Sequence, residues 1–220
     1  GRNGWLHALL ARGYEVHVID NVERGRAGWA PGLWHGDAIL RTMEEAWSLF
    51  RFGPPDGFAD RRAFAGQRFP VNHLETFARY FVPRWTSTTN AQVAAMSALL
   101  ARFDKVSVIA HSQGAAVAST AMALAPGRVA AFLALEPSGF TLPESPAVCP
   151  PVQLLSGDFL DRDILWRRLS AGWAELAADH QTVSQVRLAD SFPGTSHMLM
   201  MDQGSDDILA LAAERLEDIT

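Results

Sequence analysis

Short apolar runs alternate with helix-like segments through the last two-thirds of the chain. Three runs, at 106–110, 131–135 and 152–156, are almost continuously hydrophobic, and a weaker strand pattern covers about 184–189. Runs that are apolar at nearly every position are typical of parallel strands that are covered on both faces. The pattern therefore predicts an α/β protein with a mostly parallel sheet flanked by helices.

Helical periodicity lies between and after these runs. Helices are predicted over 5–11, 113–125, about 162–178 and about 205–217. The N-terminal helix is followed by Gly13, a typical C-cap residue, and by a strand-like stretch at 15–20. Because no strand precedes the first helix, we expect the sheet to lack its N-terminal strands and the chain to be a fragment.

Residues 21–90 interrupt this alternation. They are rich in Gly, Pro, Trp, Phe and Arg, with helical patterns at about 37–50 and 72–82. A segment of this length between a strand and the next βα unit is typical of an insertion, so we expect a cap or lid over 30–90 within a single domain, 1–220. The aromatic residues expected to build the cap and an apolar pocket, or simply core, are Trp29, Trp34, Trp47, Phe64, Phe69 and Phe77.

Composition narrows the functional classes. The chain has 220 residues and a formal charge of -5, which argues against general nucleic-acid binding. No apolar run approaches the roughly 18 residues of a membrane span, and 1–14 has no leader pattern, which favours the cytoplasm over export. The single cysteine, Cys149, excludes an intrachain disulfide and a cysteine-built zinc site. We expect no cofactor and no metal, and the oligomeric state stays open.

The strongest chemical motif is the stretch Ala110-His111-Ser112-Gln113-Gly114. It follows one predicted strand and opens the next helix, which is the context of a nucleophile elbow. A serine on so sharp a turn is expected to need small residues two positions before and after it, here Ala110 and Gly114. We interpret Ser112 as a nucleophile; the alternative is a helix N-cap.

A serine nucleophile needs a base, which follows it in the chain in this kind of fold. Two histidines, His180 and His197, lie downstream of Ser112. His180 stands at the end of a predicted helix, where a histidine interacts favourably with the helix dipole. His197 lies in the loop between the last strand and the last helix, near the elbow. We therefore assign His197 as the base.

Two carboxylates are candidates for the group that orients the base. Glu136 directly follows the strand at 131–135, and Asp158 follows the strand at 152–156. Both are expected at the carboxyl edge of the sheet. The usual position of the acid favours Asp158, whereas Glu136 leaves a wholly apolar strand, where a carboxylate is costly to bury unless a cation pairs with it.

The order Ser112, Glu136 and His197, with Gly-Asp after the next strand, resembles the α/β-hydrolases. More narrowly, it resembles a branch of bacterial esterases with a His-Ser-Gln-Gly elbow and a glutamate acid in a Glu-Pro-Ser context, as at 136–138. The stretch 4–26 is also similar to that branch in its order of helix, strand, Asp and Gly-Arg.

The likeness is specific around 106–139 and 194–202 and loose over 30–90. It favours Glu136 over Asp158 as the acid. It implies that the protein is a serine hydrolase that cleaves a small-molecule carboxylic ester through an acyl-enzyme.

The resemblance also implies an oxyanion hole built from the backbone N–H of Gln113 and a second donor. That second donor belongs to a loop that would precede residue 1. Two alternative functions stay open: a catalytically silent binding protein of the same fold, and an acyltransferase or lactonase that uses the same triad.

One further polar stretch, Arg24-Gly25-Arg26, follows Asp20 at the end of a predicted strand. It could clamp a substrate carboxylate. We interpret it instead as a loop whose arginines pair with Asp20 or Glu23.

Overall fold

The structure is a computed structural model that describes residues 3–28, 32 and 34–218. Among these residues, four strands form one parallel sheet in the order β1-β2-β3-β4. The strands are β1 (Val106–His111), β2 (Val129–Leu135), β3 (Val152–Ser156) and β4 (Val183–Arg187). The helices are α1 (Trp5–Ala11), α2 (Met43–Leu49), α3 (Leu74–Ala78), α4 (Thr89–Leu100), α5 (Gln113–Leu124), α6 (Ile164–Asp179) and α7 (Ser205–Asp218). A parallel sheet flanked by helices confirms the predicted fold class.

The sheet is covered on both faces because its strands are apolar at successive positions. In β2, Phe132 and Ala134 pack into a core with residues of α4, α5 and α6. Ala131, Leu133 and Leu135 pack into a second core with residues of α1 and α7. Burial on both sides is what the uninterrupted apolar runs predict.

A third apolar cluster lies outside the sheet. Its buried members are Trp47, Phe52, Phe69 and Leu74. The rings of Phe52 and Phe69 stack with their centroids 3.9 Å apart. This aromatic core holds together the short helices and turns between α2 and α3.

The strand predicted over 15–20 is wrong. The segment pairs with no strand of the described chain, and Val18 and Ile19 are 73% and 45% exposed. A β-strand forms when its backbone hydrogen-bonds to a neighbouring strand. A sequence that alternates apolar and polar residues does not by itself provide that neighbouring strand.

The helices predicted over 37–50 and 72–82 are shorter in the structure. The first begins only after a capping box, in which Thr42 and Glu45 each accept a hydrogen bond from the other's backbone N–H. In the second, a 3-10 turn, Val71–His73, takes the first residues, and α3 ends at Ala78 with Arg79 as its C-cap.

Helix α4 is one that the sequence pattern did not indicate, because its apolar residues are spread around the helix rather than along one face. Strand β4 ends at Arg187, and a single 3-10 turn, Leu188–Asp190, takes the place of its predicted last residues. No helix in the described part of the chain is long and apolar enough to cross a bilayer.

The carboxyl ends of the strands form the edge that carries the candidate site. The last residues of β1 and β2 lie opposite each other, so Ser112 and Glu136 leave neighbouring strands at the same level. The loop between β4 and α7 returns to this edge, where the Thr195 carbonyl accepts a hydrogen bond of 2.8 Å from the N–H of Asp158.

Helix α6 is expected to lose its N-terminal cap in Asp163→Ala. The Asp163 carboxylate accepts hydrogen bonds from the N–H groups of Leu165 (2.7 Å) and Trp166 (3.4 Å). Loss of such a cap costs about 1 kcal/mol, so the melting temperature should fall by roughly 2–4 °C in calorimetry. Asp161→Ala, which removes an exposed carboxylate 3.5 Å from Arg162, is the matched control. Equal melting temperatures for the two variants would contradict the capping role.

Candidate active site

Ser112 lies on a strained turn between β1 and α5. Its φ is +53° and its ψ is -122°, a conformation that costs a non-glycine residue about 1–3 kcal/mol. The Ser112 N–H donates to the Leu135 carbonyl at 2.9 Å. The Ser112 carbonyl accepts from the N–H groups of Ala115 at 3.1 Å and Ser138 at 3.2 Å. Bonds to β2, to α5 and to the loop after β2 therefore fix this turn at the edge of the sheet.

Gly114 has open space around the position of a Cβ atom. A Cβ added there would meet no heavy atom within 4 Å outside the backbone of its own helix. Gly114 lines the cavity in front of Ser112. Its missing side chain therefore leaves that space open.

The structure brings Ser112, His197 and Glu136 into one hydrogen-bonded series. His197 Nε2 lies 3.0 Å from Ser112 Oγ, and His197 Nδ1 lies 3.0 Å from Glu136 Oε2. A carboxylate can only accept, so Nδ1 carries the ring proton. In the neutral ring, Nε2 then accepts a hydrogen bond from the Ser112 hydroxyl. This tautomer is the one that a base acting on Ser112 requires.

Glu136 is completely buried and its carboxylate is fully engaged. Arg51 donates to both of its oxygens, from Nη1 to Oε2 at 2.8 Å and from Nη2 to Oε1 at 2.6 Å. The N–H of Gly157 also donates to Oε1. A Cβ at Gly157 would lie 2.7 Å from the Thr195 carbonyl oxygen and 3.0 Å from Oε1. Glycine is therefore required for the backbone to approach the carboxylate.

Opposing effects set the protonation of this pair. Burial raises the pKa of Glu136, but the charge of Arg51 and the hydrogen bond from His197 outweigh it and lower that pKa to about 2. Burial lowers the pKa of His197 below its usual value. The hydrogen bond to Glu136 and the negative charge of Glu136 raise the pKa of His197, but the effect of burial is larger. At neutral pH the site therefore holds an ionised carboxylate and a neutral imidazole.

Arg51 is a component of the site that sequence reasoning missed. Its side chain is 1% exposed, its Nε donates to the Asp158 carbonyl at 2.7 Å, and its guanidinium lies 4.2 Å from the centre of the Trp166 ring. The cost of burying an unpaired charge, which singles out Glu136, also applies to Arg51. An arginine flanked by Phe50 and Phe52 is costly to bury unless an acid pairs with it.

Three rings enclose the imidazole of His197. Phe50 stacks on it at 5.3 Å between centroids, Trp166 lies at 4.7 Å and His111 at 4.6 Å. His111 Nε2 donates to the His197 carbonyl at 2.9 Å. Burial, with the nearby His197, lowers the pKa of His111 to about 3, so His111 is a neutral donor that holds the backbone of His197.

The loop that carries His197 is held by a buried acid, Asp202. Its carboxylate accepts from the N–H and from the hydroxyl of Ser196, both at 2.7 Å. The Ser196 hydroxyl oxygen in turn accepts from the N–H of Met198 at 2.9 Å. Burial raises the pKa of Asp202 to about 6, against the hydrogen bonds from Ser196, which lower it. The residues on both sides of His197 are therefore fixed.

Asp158 and His180, the other two candidates, are not part of this series. The Asp158 carboxylate accepts from the N–H groups of Phe159 at 2.7 Å and Gly194 at 2.8 Å, so it fixes the turn after β3. His180 is the C-cap residue directly after α6, and its N–H donates to the Leu176 carbonyl at 3.2 Å.

A cavity of about 330 Å³ opens in front of Ser112. Phe50 and Met198 are apolar residues of its wall, and Arg24 and Gln113 also line it. Gln113 is the first residue of α5, and an N–H at that position has no acceptor within its own helix. In the part of the chain that the structure describes, no group of three or more His, Cys, Asp and Glu side chains is arranged to hold a metal ion.

Arg24 takes part in the loop ion pair that the sequence suggested. Its Nη1 lies 3.8 Å from the Glu23 carboxylate and donates to the Pro83 carbonyl at 3.0 Å. The Asp20 carboxylate accepts instead from the backbone N–H of Arg26 at 2.9 Å.

The aromatic residues expected in the cap pack mainly against other rings and apolar side chains. Trp34 packs against Trp85, and Phe64 packs against Phe159. Trp47, Phe69 and Phe77 belong to the third apolar cluster. Trp29 lies outside the described residues. Phe50, which the sequence pattern did not single out, is an aromatic residue that contacts both His197 and the cavity.

No protein-family model matches this chain, but curated and solved proteins do. The chain is similar to a protein solved as a novel bacterial esterase, with 28% identity and a TM-score of 0.82, over 100% of this chain and 75% of that one. It is also similar to "Probable secreted lipase phiG" of Fungal sp. (strain ATCC 74256), with 27% identity over 157 residues, 63% of this chain. The chain spans 40% of the length of that lipase.

Removing Arg51 should raise the pKa of His197. In Arg51→Met the imidazolium becomes the remaining cation next to the Glu136 carboxylate, so protonation of His197 becomes more favourable. The measurement is an NMR titration of the His197 ring in the wild type and the variant. Arg62→Met, which removes an exposed arginine paired with Asp56, is the matched control and should leave the titration unchanged.

Arg51→Met also leaves a buried carboxylate short of a partner, which destabilises a protein by about 3–5 kcal/mol. Arg51→Lys keeps a positive charge in the same place and provides the comparison if Arg51→Met unfolds. Its His197 titration should stay close to that of the wild type. A pKa of His197 that falls or stays the same in folded Arg51→Met would contradict this account.

Proposed function

Because this chain has the α/β-hydrolase fold, we propose that it is a serine hydrolase that cleaves carboxylic esters through an acyl-enzyme. Ser112 is the nucleophile, His197 the general base and Glu136 the acid that orients it. The observation that carries the proposal is the series of two 3.0 Å hydrogen bonds from Ser112 to Glu136. The likeness to an esterase and to a probable lipase supports the choice of an ester as substrate.

The reaction proceeds in two halves. As Ser112 Oγ attacks the ester carbonyl carbon, His197 Nε2 takes the hydroxyl proton, and it gives that proton to the alcohol oxygen as the C–O bond breaks. A water molecule then attacks the acyl-enzyme and gives a proton to His197. The bond to Ser112 breaks, its oxygen regains the proton, and the carboxylic acid leaves.

Charge in the site supports each proton transfer. His197 becomes an imidazolium in both halves, and the ionised Glu136, 3.0 Å from Nδ1, stabilises that charge. The oxygen of the ester carbonyl becomes negative at the same time. The N–H of Gln113, at the positive end of α5, is the donor that we assign to this oxyanion.

The segment 30–90 serves in this proposal as a cap over the carboxyl edge of the sheet. The Phe50 carbonyl accepts from the His197 N–H at 3.1 Å, and the Phe50 ring stacks on the imidazole. The Arg68 N–H donates to the Gly194 carbonyl at 2.9 Å. A cap in this place excludes water from His197, which strengthens the electrostatic interactions beneath it.

Ser112→Ala should lower kcat for p-nitrophenyl acetate by at least about 10⁴-fold, because it removes the nucleophile. The control is Ser107→Ala, which changes an exposed serine of β1 and should keep wild-type rates. A fluorophosphonate should label the wild type and Ser107→Ala but not Ser112→Ala. Normal turnover by Ser112→Ala would refute the proposal, and a wild type that neither turns over nor labels would favour a binding protein of this fold.

Glu136→Gln and Asp158→Asn separate the two candidate acids. Glu136→Gln removes the charge next to His197 and should lower kcat by about 10⁴-fold, whereas Asp158→Asn should stay within about tenfold of the wild type, because Asp158 bonds to backbone N–H groups. Circular dichroism checks that each variant is folded. Glu136→Asp, which keeps the charge beside Arg51, should fall between them. A larger loss in Asp158→Asn would reverse the assignment.

A further inference from the structure

A second, larger cavity begins beside the one in front of Ser112. Its volume is about 870 Å³, and Gln113 lines both cavities. Residues of α4 and α5 form much of its wall, among them Val93 and Val117. We call it the α4–α5 groove. It offers room for a part of a substrate that extends beyond the scissile bond.

Two polar atoms of this groove lack hydrogen-bond partners. Arg84 Nε and Ser97 Oγ are both buried, and neither has a partner among residues 3–28, 32 and 34–218. The backbone of Arg84 is fixed, because it exchanges two hydrogen bonds with Ile39, of 2.7 and 3.2 Å. Buried polar groups in proteins are almost always paired. Two unpaired groups in one cavity point to a ligand with polar atoms of its own.

Charge indicates the kind of ligand. The groove contains Arg84 and the first cavity contains Arg24, and no carboxylate residue lines either cavity in the described chain. The adjacent acid, Glu23, is already engaged by Arg24 at 3.8 Å, by the Gln92 side chain at 3.2 Å and by the N–H of Trp85 at 2.7 Å. The entrance to the site is therefore positive although the whole protein is negative.

The two arginines are close enough to affect each other. Burial lowers the pKa of Arg24, Glu23 raises it, and the positive charge of Arg84 lowers it again. An anion bound between the cavities would relieve this repulsion. Arg84, unlike Arg24, has no carboxylate within ion-pair distance in the described chain, so it is the cation with capacity for a new partner.

We infer that the α4–α5 groove binds a free carboxylate carried by the ester substrate, with Arg84 as its cationic partner. The inference rests on the proposed function, because the groove opens beside Ser112. Under it, the preferred substrates are monoesters of dicarboxylic acids, or esters whose alcohol half carries a carboxylate.

The test compares charged and neutral esters of similar shape. One pair places the charge on the acyl half, p-nitrophenyl hydrogen glutarate against p-nitrophenyl valerate. The other places it on the alcohol half, p-acetoxybenzoate against p-tolyl acetate. In at least one pair, Arg84→Gln should lower the charged-to-neutral ratio of kcat/KM by about tenfold or more. Arg84→Lys should retain part of the wild-type preference for the charged ester. The control is Arg168→Gln, which changes an exposed arginine on α6 and should retain the whole preference.

A binding measurement keeps this inference separate from the proposed chemistry. Glutaramate has the carboxylate but no ester, and its affinity by calorimetry should fall about tenfold or more in Arg84→Gln but not in Arg168→Gln. Hydrolysis that depends on Ser112, with ratios and affinity independent of Arg84, would overturn the inference and leave the proposed function standing. Affinity that depends on Arg84, together with full activity in Ser112→Ala, would overturn the proposed function and leave the groove as an anion site.

Discussion

Glu136 has no exposed surface, and its negative charge survives burial because Arg51 binds both of its oxygens while His197 and Gly157 donate to them. A buried carboxylate without such partners would take up a proton. It could then no longer stabilise an imidazolium, and the tautomer of His197 would no longer be determined. The arrangement of the rest of the site follows from keeping this one charge in place.

That charge joins three parts of the molecule that are far apart in the sequence. Arg51 comes from the segment with the aromatic cluster, Glu136 from the end of β2, and His197 from the loop before α7. Two of these parts have further support: Arg51 packs on Trp166, and Ser196, next to His197, is bonded to Asp202. Arg51 lies in the segment proposed as the cap, so the contact of that segment with the sheet edge supplies the cation that keeps Glu136 ionised.

The sequence predicted the sheet well because its strands are buried on both faces, and such runs have few other interpretations. It placed Ser112 and Glu136 on one edge because both directly follow apolar strands. It did not predict that Arg51 pairs with Glu136, because an arginine within an aromatic stretch has no fixed sequence spacing from the acid that it pairs with. It also gave a strand at 15–20 that does not form, since strand pairing depends on a neighbour that local sequence does not reveal.

The most direct test of the account is to trap the covalent intermediate. The protein is mixed with p-nitrophenyl acetate, quenched in acid within the first turnover, digested and analysed by mass spectrometry. The account predicts one acetyl group on the peptide that contains Ser112, formed at the rate of the initial burst of nitrophenol and absent in His197→Gln. Hydrolysis of the ester with an unmodified Ser112 throughout, or with the acetyl group on another residue, would contradict it.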